Sequence, residues 1–523
     1  MPKPTLEVPV EHANTGGVWN RPAARRSFLA GTAALLGTGL VPTDAAARRR
    51  PESTGHWRPL VRFTPESNWM NDPNGLVHYR GEYHLFFQHN PHGIDHANMS
   101  WGHAVSTDLV HWRHLPVALR PDELGEIFSG SAVVDEHDTS GLFDGGSGIV
   151  AYYTSAGATQ TQSLAYSADN GRTWTKYPGN PVVDNPGFAD FRDPKVIRHE
   201  PTGTWVLLLA AGDRVLFYSS TDLLTWTRVG EFGADQGAHG GVWECPDLFE
   251  LPVDSDERRR RWVLVVSINP GGPAGGSATQ YFVGDFDGRV FVNDNTPDRV
   301  LWADHGADFY ACQSWYGTPG RRLWLGWMSN WNYAPNTPTR PWRGTMTVPR
   351  EVGLTGTESG PRLVQRPARE VELAHGRRRR WRGVLAGEAK VPRFRGKALD
   401  ISADFEVLDG LPEFGFDVFL GPRHRTRVGY DARAQTLFVD RTDSGEVGIS
   451  EDFPARHETS LSVSGARVRL RILLDHCGVE VFGDDGSVVL TDLVFPSEED
   501  DGGRGFCSGG RVLAELEVRE LRP

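Results

Sequence analysis

The sequence predicts an all-β fold in which a five-bladed β-propeller is followed by a β-sandwich domain. Short apolar runs of strand character recur along the chain, and Gly, Pro, Asn or Asp bounds each of them. No long stretch places apolar residues at helical spacing, so helices do not compete with these strands. The 60 glycines, 35 prolines and 17 tryptophans among 523 residues fit many turns and a core rich in aromatic side chains.

A degenerate repeat predicts the propeller. The segment Ser-Thr-Asp-Leu-Val-His-Trp that ends at Trp112 recurs in related forms ending at Trp174 and Trp226, at intervals of 62 and 52 residues. A strand, a tight turn containing Asp and a strand that opens with Trp make a hairpin, and hairpins at such intervals are typical of propeller blades. We therefore expect five blades over residues 57–365, with a β-sandwich as the less favoured arrangement of this part. The clearest strand runs cover residues 83–88, 148–154, 205–210, 262–268 and 323–328.

The C-terminal part is predicted to be a second, smaller domain. Composition changes over residues 361–382, where the arginine run 377–380 is interpreted as part of a linker. We expect a β-sandwich over residues 380–523, without a catalytic constellation of its own. Its alternating strands cover residues 467–474, 479–482 and 512–518.

The N-terminus has the three parts of an export signal in order. Residues 25–29 read Arg-Arg-Ser-Phe-Leu, an apolar stretch covers residues 30–41, and alanines 45–47 offer a cleavage site. The paired arginines favour the twin-arginine route. The apolar stretch is too short for a comfortable membrane anchor. We therefore expect residues 1–47 to be a signal peptide and the mature protein to be secreted and extracellular.

Charge and cysteine content exclude several classes of partner and site. The formal net charge of −12 argues against nucleic acid and membranes as partners. The four arginines at 258–261 follow acidic residues and precede an apolar run, so they are interpreted as a solvated hairpin turn. The four cysteines are too few and too scattered for a disulfide framework or a zinc site. Spacing alone leaves open whether Cys477 and Cys507 form a bridge.

Three acidic clusters carry the chemistry that the sequence predicts. Asp72 lies in Asn-Trp-Met-Asn-Asp-Pro-Asn-Gly, Asp193 in Phe-Arg-Asp-Pro, and Glu244 in Trp-Glu-Cys-Pro-Asp. Taken singly, the first cluster fits an ordinary turn, the second a local ion pair and the third a strand edge. A propeller, however, can bring all three clusters to one end of its central channel. Glycoside hydrolysis needs one carboxylate to attack or assist the anomeric carbon and another to protonate the leaving oxygen. A third acid can hold the sugar hydroxyls as charge develops.

These motifs, in this order, resemble those of glycoside hydrolase family 32, which comprises invertases, exo-inulinases and levanases. The resemblance extends from about Phe63 to the end of the chain and implies a five-bladed propeller followed by a sandwich. Further matching segments are residues 128–131, 269–273, 280–286, 308–311, 326–331 and 479–482.

The resemblance also implies the roles of individual residues. Asp72 would be the nucleophile, Glu244 the acid/base, and Asp193 the stabiliser of the transition state through the ring hydroxyls. The residues at matching motif positions that would bind fructose are Asn71, Gln88, Trp101, Phe128, Ser129, Arg192, Tyr310 and Trp331. The family implies neither a cofactor nor a metal ion. The partner that it implies is a carbohydrate substrate, and the oligomeric state stays open.

One position departs from the family's pattern. In the segment after Asn90-Pro91, where relatives place Trp-Gly, this chain has His96-Ala97. In the family that tryptophan forms an apolar wall of the fructose pocket, whereas a histidine offers less stacking area and adds a titratable group. We expect His96 to line the pocket, and a neighbouring aromatic side chain is the alternative source of the wall.

The resemblance therefore predicts an exo-acting, retaining enzyme that releases terminal β-D-fructose from levan, inulin and sucrose through a covalent intermediate. Retention requires the carboxyl groups of Asp72 and Glu244 to lie about 5–5.5 Å apart. A fructosyltransferase using the same intermediate is one alternative. A fructan-binding lectin is another, although it would be expected to have lost one of the three acids. Preference among the substrates stays open because it depends on loops at the pocket rim.

Overall fold

Strands form almost all of the regular structure. The computed structural model describes residues 55–387, 392–463 and 465–523, so the predicted signal peptide lies outside the described residues. Within these ranges the helices are short 3-10 turns, and none could cross a membrane. They cover Gly55–Trp57, Ala334–Asn336, Arg369–Ala374 and Asp484–Gly486. The predicted all-β fold is confirmed.

The first part of the chain contains five successive antiparallel groups of strands. Its strands are β1 (Asn68–Tyr79), β2 (Glu82–Asn90), β3 (Ser100–Ser106), β4 (Arg113–Leu119), β5 (Glu126–Asp135), β6 (Gly148–Ala156), β7 (Gln160–Ser167), β8 (Thr175–Lys176), β9 (Phe191–His199), β10 (Thr204–Ala211), β11 (Val215–Ser220), β12 (Thr227–Phe232), β13 (Val242–Val253), β14 (Asp256–Asn269), β15 (Ala278–Phe286), β16 (Phe291–Asn293), β17 (Leu301–Trp302), β18 (Tyr310–Ser314), β19 (Arg322–Trp327), β20 (Trp342–Arg343), β21 (Arg350–Thr357) and β22 (Gly360–Pro367). The groups are β1–β4, β5–β8, β9–β12, β13–β16, and β18 with β19, β21 and β22, and one parallel pairing of β13 with β21 joins the last two groups. The five predicted strand runs correspond to the second strand of each group.

The first strands of the five groups form a closed ring. Strands β1, β5, β9, β13 and β18 each contact the next one, and β18 contacts β1. These are therefore the innermost strands of a five-bladed propeller. Neighbouring groups share apolar cores, such as the one that unites Val150 and Leu164 of the second group with Leu207 and Leu216 of the third. Because these close-packed apolar cores extend from one group to the next, they hold the inner strands, and the site residues on them, in fixed positions.

The sequence repeat is the turn between the third and fourth strands of the first three groups. In each turn a serine hydroxyl accepts a hydrogen bond from a backbone N–H three or four residues later, at 2.8–2.9 Å. The serines are Ser106, Ser167 and Ser220, and the donors Leu109, Gly171 and Leu223 all have positive φ, between 64° and 75°. The repeated tryptophan directly precedes the fourth strand each time. The predicted hairpin repeat is confirmed.

The C-terminal part is a two-layered sandwich. Its strands are β23 (His375–Leu385), β24 (Arg393–Arg395), β25 (Ala398–Leu420), β26 (Arg425–Asp431), β27 (Thr436–Asp443), β28 (Arg456–Ser460), β29 (Arg467–Asp475), β30 (Gly478–Gly483), β31 (Val488–Leu493) and β32 (Gly502–Leu521). The long strands β25 and β32 pair with each other through both layers. One half of β25 pairs with β29 and the other half with β26. One core collects Ile401 and Leu470 from one layer and Phe416 and Val439 from the other.

Two interpretations of arginine runs are wrong. Residues 258–261 lie in β14, and the turn is instead at Asp254 and Ser255, which have positive φ. Residues 377–380 lie in β23, which pairs with β32, so they are not linker. In both runs arginine charges are paired with carboxylates across strands, as Arg260 is with Glu250 and Arg380 with Glu517, each at 2.6 Å. The four cysteines are free, so Cys477 and Cys507 are not bridged.

Buried ion pairs join the propeller to the sandwich. Glu480 of β30 accepts hydrogen bonds from Arg62 Nε at 2.9 Å and from Arg350 Nη2 at 2.7 Å, and none of the three side chains is exposed. Arg441 of β27 donates to Asp308 Oδ2 at 2.6 Å, again without exposure. A buried charge without its partner is strongly destabilising, so each side of this junction depends on the other.

Candidate active site

All five inner strands carry a β-bulge near the end at which they begin. The pairing shifts at residues 71–72 of β1, 129 of β5, 193–194 of β9, 245–246 of β13 and 311–312 of β18. Because the bulges lie at the same end of neighbouring strands, they meet at one mouth of the central channel. A bulge redirects side chains and interrupts the ladder, and bulges are common beside active sites.

The sequence favours bulges at these positions. Proline follows the bulged residue at Asp72-Pro73, Asp193-Pro194 and Cys245-Pro246. Since proline has no N–H, the ladder loses no donor where it is interrupted. Three bulged residues have positive φ, namely Asp193 at 64°, Cys245 at 49° and Ala311 at 51°. Such backbone strain in a residue other than glycine persists only where the surroundings enforce it.

Asp72 on β1 is a buried carboxylate with one free oxygen. Its side chain accepts a hydrogen bond from Ser129 Oγ at 2.6 Å, on Oδ2, and the Cys245 thiol lies 3.6 Å from the same oxygen. The other oxygen, Oδ1, is buried and has no hydrogen-bond partner among the described residues. Burial, reinforced by the nearby Glu244, raises the pKa of Asp72 to about 6. The arrangement leaves Oδ1 available to attack an electrophile.

Asp193 on β9 is held from two sides. Its Oδ2 accepts the backbone N–H of Cys245 at 2.9 Å, and its own N–H donates to Thr154 Oγ1 at 3.0 Å. Burial raises the pKa of Asp193 to about 7, an effect that Arg192 opposes and that Glu244 and Asp72 reinforce. Since Cys245 follows Glu244 and contacts the carboxylates of both Asp193 and Asp72, the three acids lie in one site.

Glu244 on β13 is the most accessible of the three acids, with a side chain 20% exposed. Arg192 Nη2 and Nε both donate to its Oε1, at 2.9 and 3.1 Å. The Tyr310 hydroxyl of β18 donates to its Oε2. Asp190 accepts from Arg192 Nη1 at 2.5 Å and fixes the guanidinium. Glu244 is therefore oriented on both oxygens while remaining open to solvent.

Aromatic side chains line the open side. Trp331 stacks on the fully buried Trp69, with ring centroids 6.0 Å apart and an interplanar angle of 23°. His96 is exposed and meets the edges of Trp69, Trp331 and Phe128 at centroid distances of 5.8, 5.3 and 6.5 Å. Although the residue remains partly open to solvent, desolvation in this aromatic setting lowers the pKa of His96, and the charges of Glu126 and Glu244 oppose this effect. His96 therefore occupies the rim of the site, between aromatic surfaces that could flank a sugar.

The remaining predicted residues lie behind this rim. Trp101 is fully buried and donates its indole N–H to the Phe128 carbonyl at 3.0 Å, so it supports the strand that carries Ser129. Gln88 is buried and donates to the Ile127 carbonyl at 3.0 Å. Asn71 accepts the indole N–H of Trp69 at 2.7 Å.

Sequence reasoning missed several residues that hold the site. The Gln313 amide donates to the carbonyls of Cys245 and Pro246, and Thr154 accepts from Asp193 N–H. The position of Cys245 next to Glu244 was a signal for that residue. No local signal marks Gln313, because the Cys245 carbonyl that it binds lies 68 residues earlier in the chain. Within the described ranges, no group of three or more His, Cys, Asp or Glu side chains could hold a metal ion.

The chemistry open to this arrangement follows from its charges. A buried carboxylate with a free oxygen shares this mouth of the channel with a second carboxyl group that Arg192 and Tyr310 orient. A third carboxylate and several polar side chains surround them, with aromatic rings at the rim. This combination fits displacement at an anomeric carbon with acid/base assistance to the leaving oxygen.

Comparisons with known proteins agree with this chemistry. The model of the glycosyl hydrolases family 32 N-terminal domain matches residues 62–367, and that of the family's C-terminal domain matches residues 372–520. A levanase from Bacillus subtilis (strain 168) is 52% identical over 483 residues, which cover 89% of this chain and 70% of the levanase. An extracellular exo-inulinase from Aspergillus awamori is 39% identical over 500 residues, covering 87% of this chain and 92% of that protein.

The structural likeness has the same extent. The crystal structure of exo-inulinase from Aspergillus awamori matches with a TM-score of 0.84 and 37% identity, over 89% of this chain and 98% of that one. Both domains and their order are therefore shared with the relatives. The chain belongs to glycoside hydrolase family 32.

Proposed function

We propose that this chain is an extracellular β-fructosidase that releases terminal fructose from levan, inulin and sucrose. The observation that carries the proposal is the convergence of Asp72, Asp193 and Glu244 on three inner strands, where Cys245, the residue after Glu244, contacts the carboxylates of both Asp193 and Asp72. The levanase and exo-inulinase relatives support fructans as the substrate class.

In the first step, Asp72 Oδ1 attacks C2 of the terminal fructose, and the bond from C2 to the leaving oxygen breaks. Glu244 gives its proton to that oxygen, so the remaining sugar leaves as an alcohol. The Ser129 hydroxyl holds the other oxygen of Asp72 and keeps the attacking one directed at the substrate. Asp193 accepts hydrogen bonds from ring hydroxyls, which strengthen as positive charge develops.

In the second step, Glu244 takes a proton from water, and the resulting hydroxide attacks C2. The ester bond to Asp72 breaks, fructose leaves, and both carboxyl groups return to their starting states. Two displacements retain the β configuration. Arg192 and Tyr310 fix Glu244 through both steps, because they bind its two oxygens from the two blades that flank its own.

The test is incubation with levan, inulin and sucrose, with products separated by chromatography at early times. We expect fructose as the only early product from both fructans, and glucose with fructose from sucrose. Asp72→Asn is the control and should reduce release by several orders of magnitude while the far-ultraviolet circular dichroism is unchanged. Early oligosaccharides would indicate an endo-enzyme, and transfer of fructose to sugar would indicate a fructosyltransferase.

We further propose export by the twin-arginine route, supported by Arg25-Arg26 and the apolar stretch after them. Replacement of both arginines by lysine should retain active enzyme inside the cell, measured as fructose release by cell extract and by medium. Unchanged secretion would contradict the route without affecting the enzyme assignment.

A further inference from the structure

One strained peptide unit connects all three carboxylates. Cys245, which directly follows Glu244, has a φ of 49°, a left-handed conformation that a side chain disfavours. Its backbone N–H donates to Asp193 Oδ2 at 2.9 Å, and its thiol lies 3.6 Å from Asp72 Oδ2. A rotation of this peptide would change the support of Asp193 and the direction of Glu244 together.

Gln313 holds this peptide from the opposite side. Its Nε2 donates to the Cys245 carbonyl at 3.0 Å and to the Pro246 carbonyl at 3.1 Å. These two carbonyls belong to the bulge of β13, where the ladder between Glu244 and Asp247 is interrupted. Gln313 is only 6% exposed, so water cannot readily replace its amide. One amide therefore binds the carbonyls that the bulge removes from the ladder.

The orientation of the Gln313 amide is itself fixed. Lys195 Nζ donates to Gln313 Oε1 at 3.2 Å and to the Ser314 carbonyl at 2.9 Å. Since an ammonium group only donates, it binds the amide oxygen and turns Nε2 towards the carbonyls. Lys195 is neutralised by the buried Asp247 at 3.1 Å. This chain of contacts links β9, β13 and β18 beneath the site.

We propose that Gln313 is a positioning residue for the reaction, because it maintains the left-handed conformation of Cys245 and thereby the directions of Glu244 and Asp193. The inference rests on the proposed function. Loss of the amide would let the peptide relax towards ordinary φ and withdraw its N–H from Asp193. Because this hydrogen bond favours the ionised carboxylate, its loss would also make Asp193 harder to ionise.

The chain offers a matched control in Gln365. It is 3% exposed, donates its Nε2 to the Ala303 carbonyl, and accepts a hydrogen bond from Arg350 at 3.0 Å. It therefore repeats the contacts of Gln313, a carbonyl and a buried cation, in contact with none of the three carboxylates. Methionine has nearly the volume of glutamine, so Gln313→Met and Gln365→Met remove the amide without a large cavity.

The experiment measures kcat and KM with sucrose from pH 4 to pH 9 for both variants, together with thermal unfolding and crystal structures. We expect similar losses of thermal stability in both variants. Only Gln313→Met should lower kcat, by roughly 10- to 100-fold, as for a catalytic group displaced by about 1 Å. Its acidic limb should move to higher pH, with a smaller change in KM, while Gln365→Met keeps the wild-type profile.

Two outcomes overturn the proposal. One is a wild-type kcat and pH profile in Gln313→Met, and the other is a crystal structure of that variant in which Cys245 keeps its φ and its hydrogen bond to Asp193. If the wild-type protein released no fructose from any substrate, the proposed function would fail, and the crystal structures would still decide whether Gln313 sets the Cys245 conformation.

Discussion

At the scale of single residues, the site keeps two carboxylates where burial disfavours their charge. The pKa values of Asp72 and Asp193 are raised to about 6 and about 7, and both groups act as anions in the proposed reaction. Activity should therefore fall as the pH drops below these values. At pH values high enough to ionise the two carboxyl groups, their buried charges destabilise the folded protein.

Replacement of Asp72 by asparagine should stabilise the fold at neutral pH. The raised pKa means that the folded state holds its proton up to about pH 6, whereas the unfolded chain releases it near pH 3.8. Stability therefore falls as the pH rises through this window, by about 3 kcal/mol for two pKa units. Calorimetry should show that Asp72→Asn raises the melting temperature at pH 7.5 and leaves it unchanged near pH 3.5.

Asp108 provides the control of opposite sign. Hydrogen bonds from His111 and Val110 outweigh its partial burial and lower its pKa to about 2. Its stabilising effect is present above pH 3.8 and lost as the pH falls through 2. Asp108→Asn should lower the melting temperature at pH 7.5. A destabilised Asp72→Asn protein at that pH would contradict our account of the buried acid.

The role of Glu244 predicts a dependence on the leaving group. Glu244→Ala removes the proton donor, so kcat with sucrose should fall by about 10²- to 10⁴-fold. An aryl β-fructoside with a good leaving group needs no proton, so its first step should be far less affected. Initial rates with both substrates give the comparison. Equal losses with the two substrates would argue that the change acts on the fold and not on proton transfer.

At the scale of elements, the β-bulge determines which parts of the site the sequence could predict. Asp72, Asp193 and the peptide after Glu244 are each followed by proline, and this local pattern was visible in the chain. The contacts of Gln313 were not predictable, because they depend on two bulges in different blades. Residues 377–380 were misassigned because the acidic partners of this edge strand lie about 140 residues further on.

The three repeated turns predict equal contributions to the stability of the fold. Each serine accepts a buried backbone N–H, so Ser106→Ala, Ser167→Ala and Ser220→Ala should each cost about 1–2 kcal/mol. Urea denaturation should give similar values for all three, with unchanged kcat. Ser359→Ala in an exposed hairpin is the control and should be nearly neutral. Very different costs among the three turns would contradict their structural equivalence.

At the scale of the whole molecule, buried charges make the two domains interdependent. Burial alone would raise the pKa of Glu480, but Arg350 and Arg62 outweigh it and hold that pKa below its ordinary value. The carboxylate thus contributes stability that is present above about pH 4.5 and lost in acid. A propeller without its sandwich would expose Arg62 and Arg350, and their positive charges would lose the partner that neutralises them.

Glu480→Gln should therefore destabilise the whole protein by about 3 kcal/mol at pH 7, since two buried arginines lose their counter-charge. Calorimetry should record one transition at a lower temperature, and not separate transitions for propeller and sandwich. Glu515→Gln, which removes a pair whose side chains are 60% and 68% exposed, should cost less than about 1 kcal/mol. Two resolved transitions would contradict the coupling.

The ring of inner strands has a kinetic consequence. Asp72 lies on β1 and Tyr310 on β18, so the ring closes between segments that are more than 200 residues apart in the chain. Contacts of such long range form late, because the loop between them must first lose its entropy. During refolding, circular dichroism would report blades that form locally. Fructose release would return only when the last blade docks on the first, so catalytic activity measures the final event of folding.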